Sequence, residues 1–132
     1  MKNERGFSPK TRSPFQFVLD ELFPIRPTIR QMFGFTYVYL DDKLLLSLRN
    51  SVKQRRFNGV WLYTLSEHIE SLRREFPALP KRSFWRSGKN GWIILASTLD
   101  DFEEYTYKAC ELILQGDQRL GRVTRRGAAR PS

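Results

Sequence analysis

The sequence predicts an α+β domain: an antiparallel sheet of short strands with helices packed mainly on one side, in the order α-β-β-β-β-α-β-β-α. Three observations lead there. Apolar residues recur at helical spacing after residue 14, near residue 65 and again after residue 100. Between these stretches the apolar period falls to two. Short turns rich in Asp, Asn and Gly join the period-two runs, which favours hairpins over parallel crossovers.

Ser13 is placed to cap the first helix, with Pro14 at its first position. Phe15, Val18, Leu19, Leu22 and Phe23 share one face, Phe17 points off it, and Pro24 and Pro27 stop the helix. A short strand is expected around Ile29–Phe33, with a turn or bulge at Gly34. Thr36, Val38 and Leu40 then alternate with Tyr37 and Tyr39, and Leu44, Leu46 and Leu48 with Leu45 and Ser47. Asp41-Asp42 forms the turn between them. Asn58-Gly59 is a turn signal before a strand at Val60–Tyr63. Thr64-Leu65-Ser66-Glu67 fits a capping box, and Leu65, Ile69, Leu72 and Phe76 supply the stripe of the helix it would open. Glu70 and Arg74 are spaced to pair on that helix. Ser83–Arg86 and Trp92–Leu95 flank a loop over Ser87–Gly91, the pattern of a second hairpin. The last helix starts near Asp100, buries Phe102, Tyr105, Ala109, Leu112 and Ile113, and ends at Gly116.

With 132 residues the chain fits one domain with a core large enough to need no metal or disulfide. One Cys and one His exclude a disulfide framework and most Cys/His metal sites, and agree with a reducing compartment. No apolar run approaches the roughly 20 residues of a spanning helix. The basic segment Met1–Ser13 has no apolar stretch behind it, so no signal peptide is expected. These features point to a cytoplasmic protein with no membrane partner.

The formal net charge of +9 is unevenly distributed. Lys2, Arg5, Lys10 and Arg12 face Glu4 alone, while Arg119, Arg122, Arg125, Arg126 and Arg130 face Asp117 alone. Seven of the nine net charges therefore lie in residues 1–13 and 117–132, leaving little excess on 14–116. The two ends are poor in large apolar side chains and are expected as flexible basic arms around a single domain at 14–116. Such arms solubilise, and they can also hold a phosphate backbone through counterion release.

The stretch Arg30-Gln31-Met32-Phe33-Gly34, followed by Tyr37-Val38-Tyr39-Leu40-Asp41 and the Leu44–Leu48 strand, resembles the TfoX N-terminal domain. More distantly it is similar to the MmcQ/YjbR-like proteins, of comparable small α+β fold. Residues 28–49 carry the resemblance, and Phe35 and Asp42 stand where the family has glycines. The resemblance implies a bacterial, cytoplasmic domain, associated in some members with competence regulation. It implies no catalytic residues.

No nucleophile is spaced to meet His68, which reads as a hydrogen-bonded residue at the border of its helix's apolar stripe. Cys110 reads as a small core residue. Asp100, Asp101, Glu103 and Glu104 suit a helix start, and Asp41 and Asp42 suit a turn. Ser87–Gly91 lacks the spacing of a phosphate-binding loop, but it remains a basic hairpin tip. No catalytic residue, metal or cofactor is assigned. The candidates for anion or nucleic-acid contact are Arg49, Lys53, Arg55 and Arg56 in one loop, and Lys81, Arg82, Arg86 and Lys89 around the second hairpin. Trp61, Trp85 and Trp92 lie in the strands nearby. Aromatic residues in short strands ordinarily serve packing; alternatively, the basic loops converge on one sheet edge and flank these rings.

Tyr107 and Leu114 share the side of the last helix opposite its stripe, and Phe17 is similarly off-face, which marks a candidate self-association or partner patch. The expectation is a non-enzymatic, regulatory binding domain whose partner is nucleic acid or another acidic macromolecule. The alternative is a protein-interaction or homodimerisation module in which the charge is incidental.

Overall fold

The computed structural model describes residues 15–124. The Ser13-Pro14 cap, the arm at 1–13 and residues 125–132 lie outside the described residues. The elements are α1 (Gln16–Glu21), β1 (Thr28–Met32), β2 (Phe35–Leu40), β3 (Lys43–Arg49), β4 (Gly59–Leu65), α2 (Ile69–Arg73), β5 (Phe84–Ser87), β6 (Asn90–Ala96), α3 (Phe102–Leu114) and β7 (Arg122–Val123). Short 3₁₀ turns precede β4, α2 and β5. The strands form one seven-stranded antiparallel sheet in the order β1-β2-β3-β4-β6-β5, with β7 paired to β3, so the fold is α+β as the pattern predicts. Among the described residues no helix is long and apolar enough to cross a membrane, and no group of His, Cys, Asp or Glu could hold a metal ion.

The three helices cover one sheet face. Val38, Leu46, Leu48, Val60, Leu62, Ile93 and Leu95 from the strands join Val18, Leu22, Ile69, Leu72, Ala109, Leu112 and Ile113 in one buried cluster. Cys110 belongs to it as well. The α3 stripe read from the spacing is the buried one, and the helix ends as expected. Gly116, at φ +75, donates to Ile113 O, and Asp117 N donates to Leu112 O, a pairing that caps a helix in a left-handed residue. In α1, Phe23 is 74 % exposed rather than on the buried face, since the helix ends at Glu21. Phe17 is not adrift: its ring packs against Phe102 and Tyr107.

Turn chemistry sets the hairpins. Phe33 and Gly34, both at positive φ, make the two-residue connection between β1 and β2. Asp41, at φ +58, opens the turn between β2 and β3. The second hairpin is tighter than the five-residue loop expected from Ser87–Gly91. Ser87 pairs with Asn90, leaving only Gly88 and Lys89 in the turn.

A bulge changes the expected alternation in β3. Val38 pairs with Leu46 and Tyr39 with Leu44, so Leu45 is an extra residue on that strand. Leu44 consequently joins Tyr39 and Tyr63 on the face away from the helices, while Leu45 enters the main core beside Leu46 and Leu48.

The pairing of β3 with β4 runs from Arg49 and Gly59 to Leu46 and Leu62. Next to that stretch sits β7. Arg122 and Val123 pair with Leu44 and Lys43, Gly121 N donates to Tyr63 O at 2.6 Å, and Thr64 Oγ1 donates to Arg119 O. The segment after α3 thus bonds to both strands.

This corrects two expectations. The flexible tail placed from residue 117 does not begin there, because Arg119, Gly121 and β7 bond to the domain and Leu120 is 1 % exposed. The capping box at Thr64–Glu67 does not form either. Thr64 is a fully buried strand residue whose hydroxyl serves Arg119, and Glu67 lies beside His68 at 3.6 Å. Glu70 pairs with Arg86 of β5 at 3.6 Å in place of the expected Arg74.

Candidate functional site

The sheet face away from the helices is built of rings. On β2, Thr36 and Val38 turn inward, so Phe35, Tyr37 and Tyr39 turn outward by the period of two. Trp61 and Tyr63 do the same on β4, Trp92 and Ile94 on β6, and Trp85, paired with Trp92, on β5. Phe35 stacks on Tyr37 at 5.5 Å and meets Trp61 edge-on at 5.0 Å, while the Trp85 and Trp92 rings lie parallel at 6.0 Å. Ser47 lies beneath this layer, fully buried, its hydroxyl 2.9 Å from the Tyr63 phenol oxygen. Burial pushes the Tyr63 phenol up to about 12 and raises that of Tyr37 as well.

Towards the Arg49 end this face opens into a groove of about 360 Å³. Trp61 and Ile94 lie in its middle strands, Trp92 and Trp85 on one side, and Phe35, Arg49 and Phe57 on the other. Phe33, from the β1–β2 turn, and Gln54 complete the lining, which among the described residues contains no acidic side chain. Trp61 is fixed there by its indole N–H, which donates to Phe57 O at 2.9 Å.

The loop from Arg49 to Asn58 shapes this side of the groove, and Asn58 closes it. The Asn58 Oδ1 accepts from Arg49 Nη1 at 2.9 Å and from Ser51 N at 2.8 Å, and its Nδ2 donates to Ser51 O. Arg49 also donates to Gln54 O and Lys53 O, and its guanidinium lies 5.8 Å from the Phe35 ring centre. Its partners are neutral, so its positive charge is not cancelled. Asn58-Gly59 is therefore a loop clasp followed by a strand start, not the tight turn expected. Gly59 sits at φ +141, where a Cβ would meet Leu95 O at 2.1 Å, so only glycine fits.

Of the basic candidates, Arg49 alone lines the groove. Lys53, Arg55 and Arg56 are exposed on the same loop, with Arg56 stacked over Phe57 at 4.9 Å. The second group does not converge with them. Arg86 turns to the helix side and pairs with Glu70. Lys89 occupies the far hairpin turn, where its carbonyl accepts from Ser66 N. Lys81 and Arg82 are exposed in the 3₁₀ turn before β5 and do not line the groove. The three tryptophans belong to the open face rather than to the main core.

Phe33, Phe35, Phe57 and Ile94 were not among the sequence candidates. A signal for this face does exist. In β4 and β6 both sets of alternating residues are apolar, and short helices on one side cannot cover both.

The second candidate patch lies elsewhere. Phe17 and Tyr107 are in contact at 5.7 Å. Tyr107 and Leu114 line a shallow concavity of about 780 Å³ with Glu21, Glu104, Lys108 and Glu111. Tyr107 and Leu114 are 45 % and 42 % exposed.

No protein-family model, curated protein or solved structure matches this chain.

Proposed function

We propose that the chain is a non-enzymatic binding domain that holds nucleic acid against the open face of its sheet. One observation carries this reading: an aromatic groove without an acidic side chain is bordered by a loop, residues 49–58, with four basic residues and no acidic one. Rings offer stacking surface, and the loop offers phosphate contacts beside it, the pairing that single- and double-strand binders exploit in different proportions. The acidic residues of the domain support the same polarity. Glu21, Glu104 and Glu111 lie at the helical side, in a concavity away from the loop's basic residues. The likeness of residues 28–49 to the TfoX N-terminal domain would set this activity in a bacterial cytoplasm and a regulatory role.

The test is titration of labelled mixed-sequence oligonucleotides with the full chain at stepped salt. Binding should be present at low salt and weaken as salt rises. The double variant Arg55→Ala/Arg56→Ala should reduce the logarithmic salt slope by about 2, one for each lost phosphate contact. An absence of binding at low salt would remove the reading.

A second reading, self-association, is favoured by the exposed Tyr107 and Leu114 beside Phe17. Sedimentation of the wild type and of Leu114→Glu decides it. A concentration-dependent dimer lost in the variant supports the patch, and a wild-type monomer overturns it.

A further inference from the structure

We infer that the groove takes unpaired nucleobases, so that its ligand is a single strand rather than a duplex; this rests on the nucleic-acid reading above. Most of the groove's lining side chains are aromatic. Trp85, on an edge strand of the sheet, is 41 % exposed while stacked in parallel on Trp92. One of its faces is spent on Trp92. Phe33 also lines the groove, from the β1–β2 turn, and is 91 % exposed.

Phe33 is the more telling residue. It sits at φ +52, a left-handed conformation that favours Gly, Asn or Asp and that a bulky side chain rarely adopts. With almost all of its surface in solvent, the ring contributes little packing in return. A residue that strains the backbone without filling the core is accounted for if its ring meets a ligand.

Ring faces of this kind select for one form of nucleic acid. In a duplex each base is stacked on its neighbours above and below, so only base edges and the backbone are accessible. A base in a single strand can be splayed out to lie on an aromatic ring, and every base has such a face. Lys53, Arg55 and Arg56 on the exposed 49–58 loop, with Arg49 in the lining, supply the charge that the strand's phosphates need. That charge also separates this occupant from a proline-rich peptide, which aromatic grooves can hold without a basic border.

The experiment measures tryptophan quenching and anisotropy of the full chain with four probes: a mixed-sequence 12-mer single strand as DNA and as RNA, the corresponding duplex, and an abasic 12-mer of equal charge. The single strand should bind about tenfold or more tightly than both the duplex and the abasic strand, within the range one or two stacked bases supply. The DNA and RNA arms identify which sugar is preferred.

Phe33→Ala and Trp85→Ala should each weaken single-strand binding by about tenfold with the salt slope unchanged, because stacking carries no counterion release. Phe33→Asn serves as a control for folding, since it relieves the turn while removing the ring, and it should show the same loss. If duplex and abasic strands bind as tightly as the single strand, the base-stacking inference fails and the nucleic-acid reading survives. If no strand binds at low salt, both fail.

Discussion

The Arg119 guanidinium meets the Glu75 carboxylate at 2.8 Å and so ties the segment after α3 to the turn after α2, residues 44 apart in sequence. Arg119 also holds Asp117 at 2.6 Å and donates to the Ser71 carbonyl, and Lys108 reaches Glu75 from α3 at 3.3 Å. Arg119 lowers the Glu75 and Asp117 pKa values below their ordinary ones, chiefly by hydrogen bonding, and its own is raised in turn. A depressed carboxylate stabilises the fold fully above its unfolded value, here 4.5 for Glu75 and 3.8 for Asp117, and that contribution is lost as pH falls through the folded one. The melting temperature should therefore drop on acidification below about pH 5. Arg119→Ala should cost about 1–2 kcal/mol at neutral pH and flatten that acid limb. Thermal melts from pH 7 to pH 3 on both proteins check this, and parallel curves would refute it.

Leu120 should behave as a core residue although it follows the last helix. It is 1 % exposed, and the adjoining Gly121 bonds to Tyr63. Leu120→Ala should cost about 2–4 kcal/mol in urea unfolding. A chain stopped at Gly116 would lose this side chain, β7 and the Arg119 pair together, and should not unfold cooperatively.

Asn58 should link stability to binding. Its truncation removes one of the acceptors of Arg49 and the acceptor of Ser51 N and loosens the 49–58 loop. Asn58→Ala should cost about 1–3 kcal/mol. It should also weaken oligonucleotide binding at residue positions that it does not itself touch, because the loop's charges lose their placement beside the groove. Denaturation and titration of the same preparation separate the two effects. Unchanged affinity in a folded variant would show that the loop needs no clasp.

Local chemistry made much of the fold readable. The α3 stripe from Phe102 to Ile113 and its Gly116 end follow from spacing and one glycine. The hairpin from Thr36 to Leu48 follows from alternation around Asp41-Asp42. Two of the failures share a cause: a side chain or strand is recruited by something distant in sequence. Thr64 looks like a helix cap, yet its hydroxyl is taken by the Arg119 carbonyl, 55 residues away. Residues 122–123 carry no strand pattern of their own, and they are a strand only because β3 offers Lys43 and Leu44 as partners. Leu44 changes face because one extra residue, Leu45, interrupts the pairing.

The same division holds for the candidate site. The basic character of residues 49–58 and the three tryptophans are properties of the chain alone, since charge and ring chemistry need no fold. Their meeting is not. Phe33, Trp61, Trp85 and Trp92 come from four stretches of sequence, and strand order alone sets them around one groove. The net charge of +9 was legible from composition, but which basic residues border rings and which pair with acids was decided by tertiary packing. Arg86 faces Glu70 and Arg119 faces Glu75 because helices lie on that side of the sheet, whereas Arg49 faces rings because among the described residues no helix covers the other.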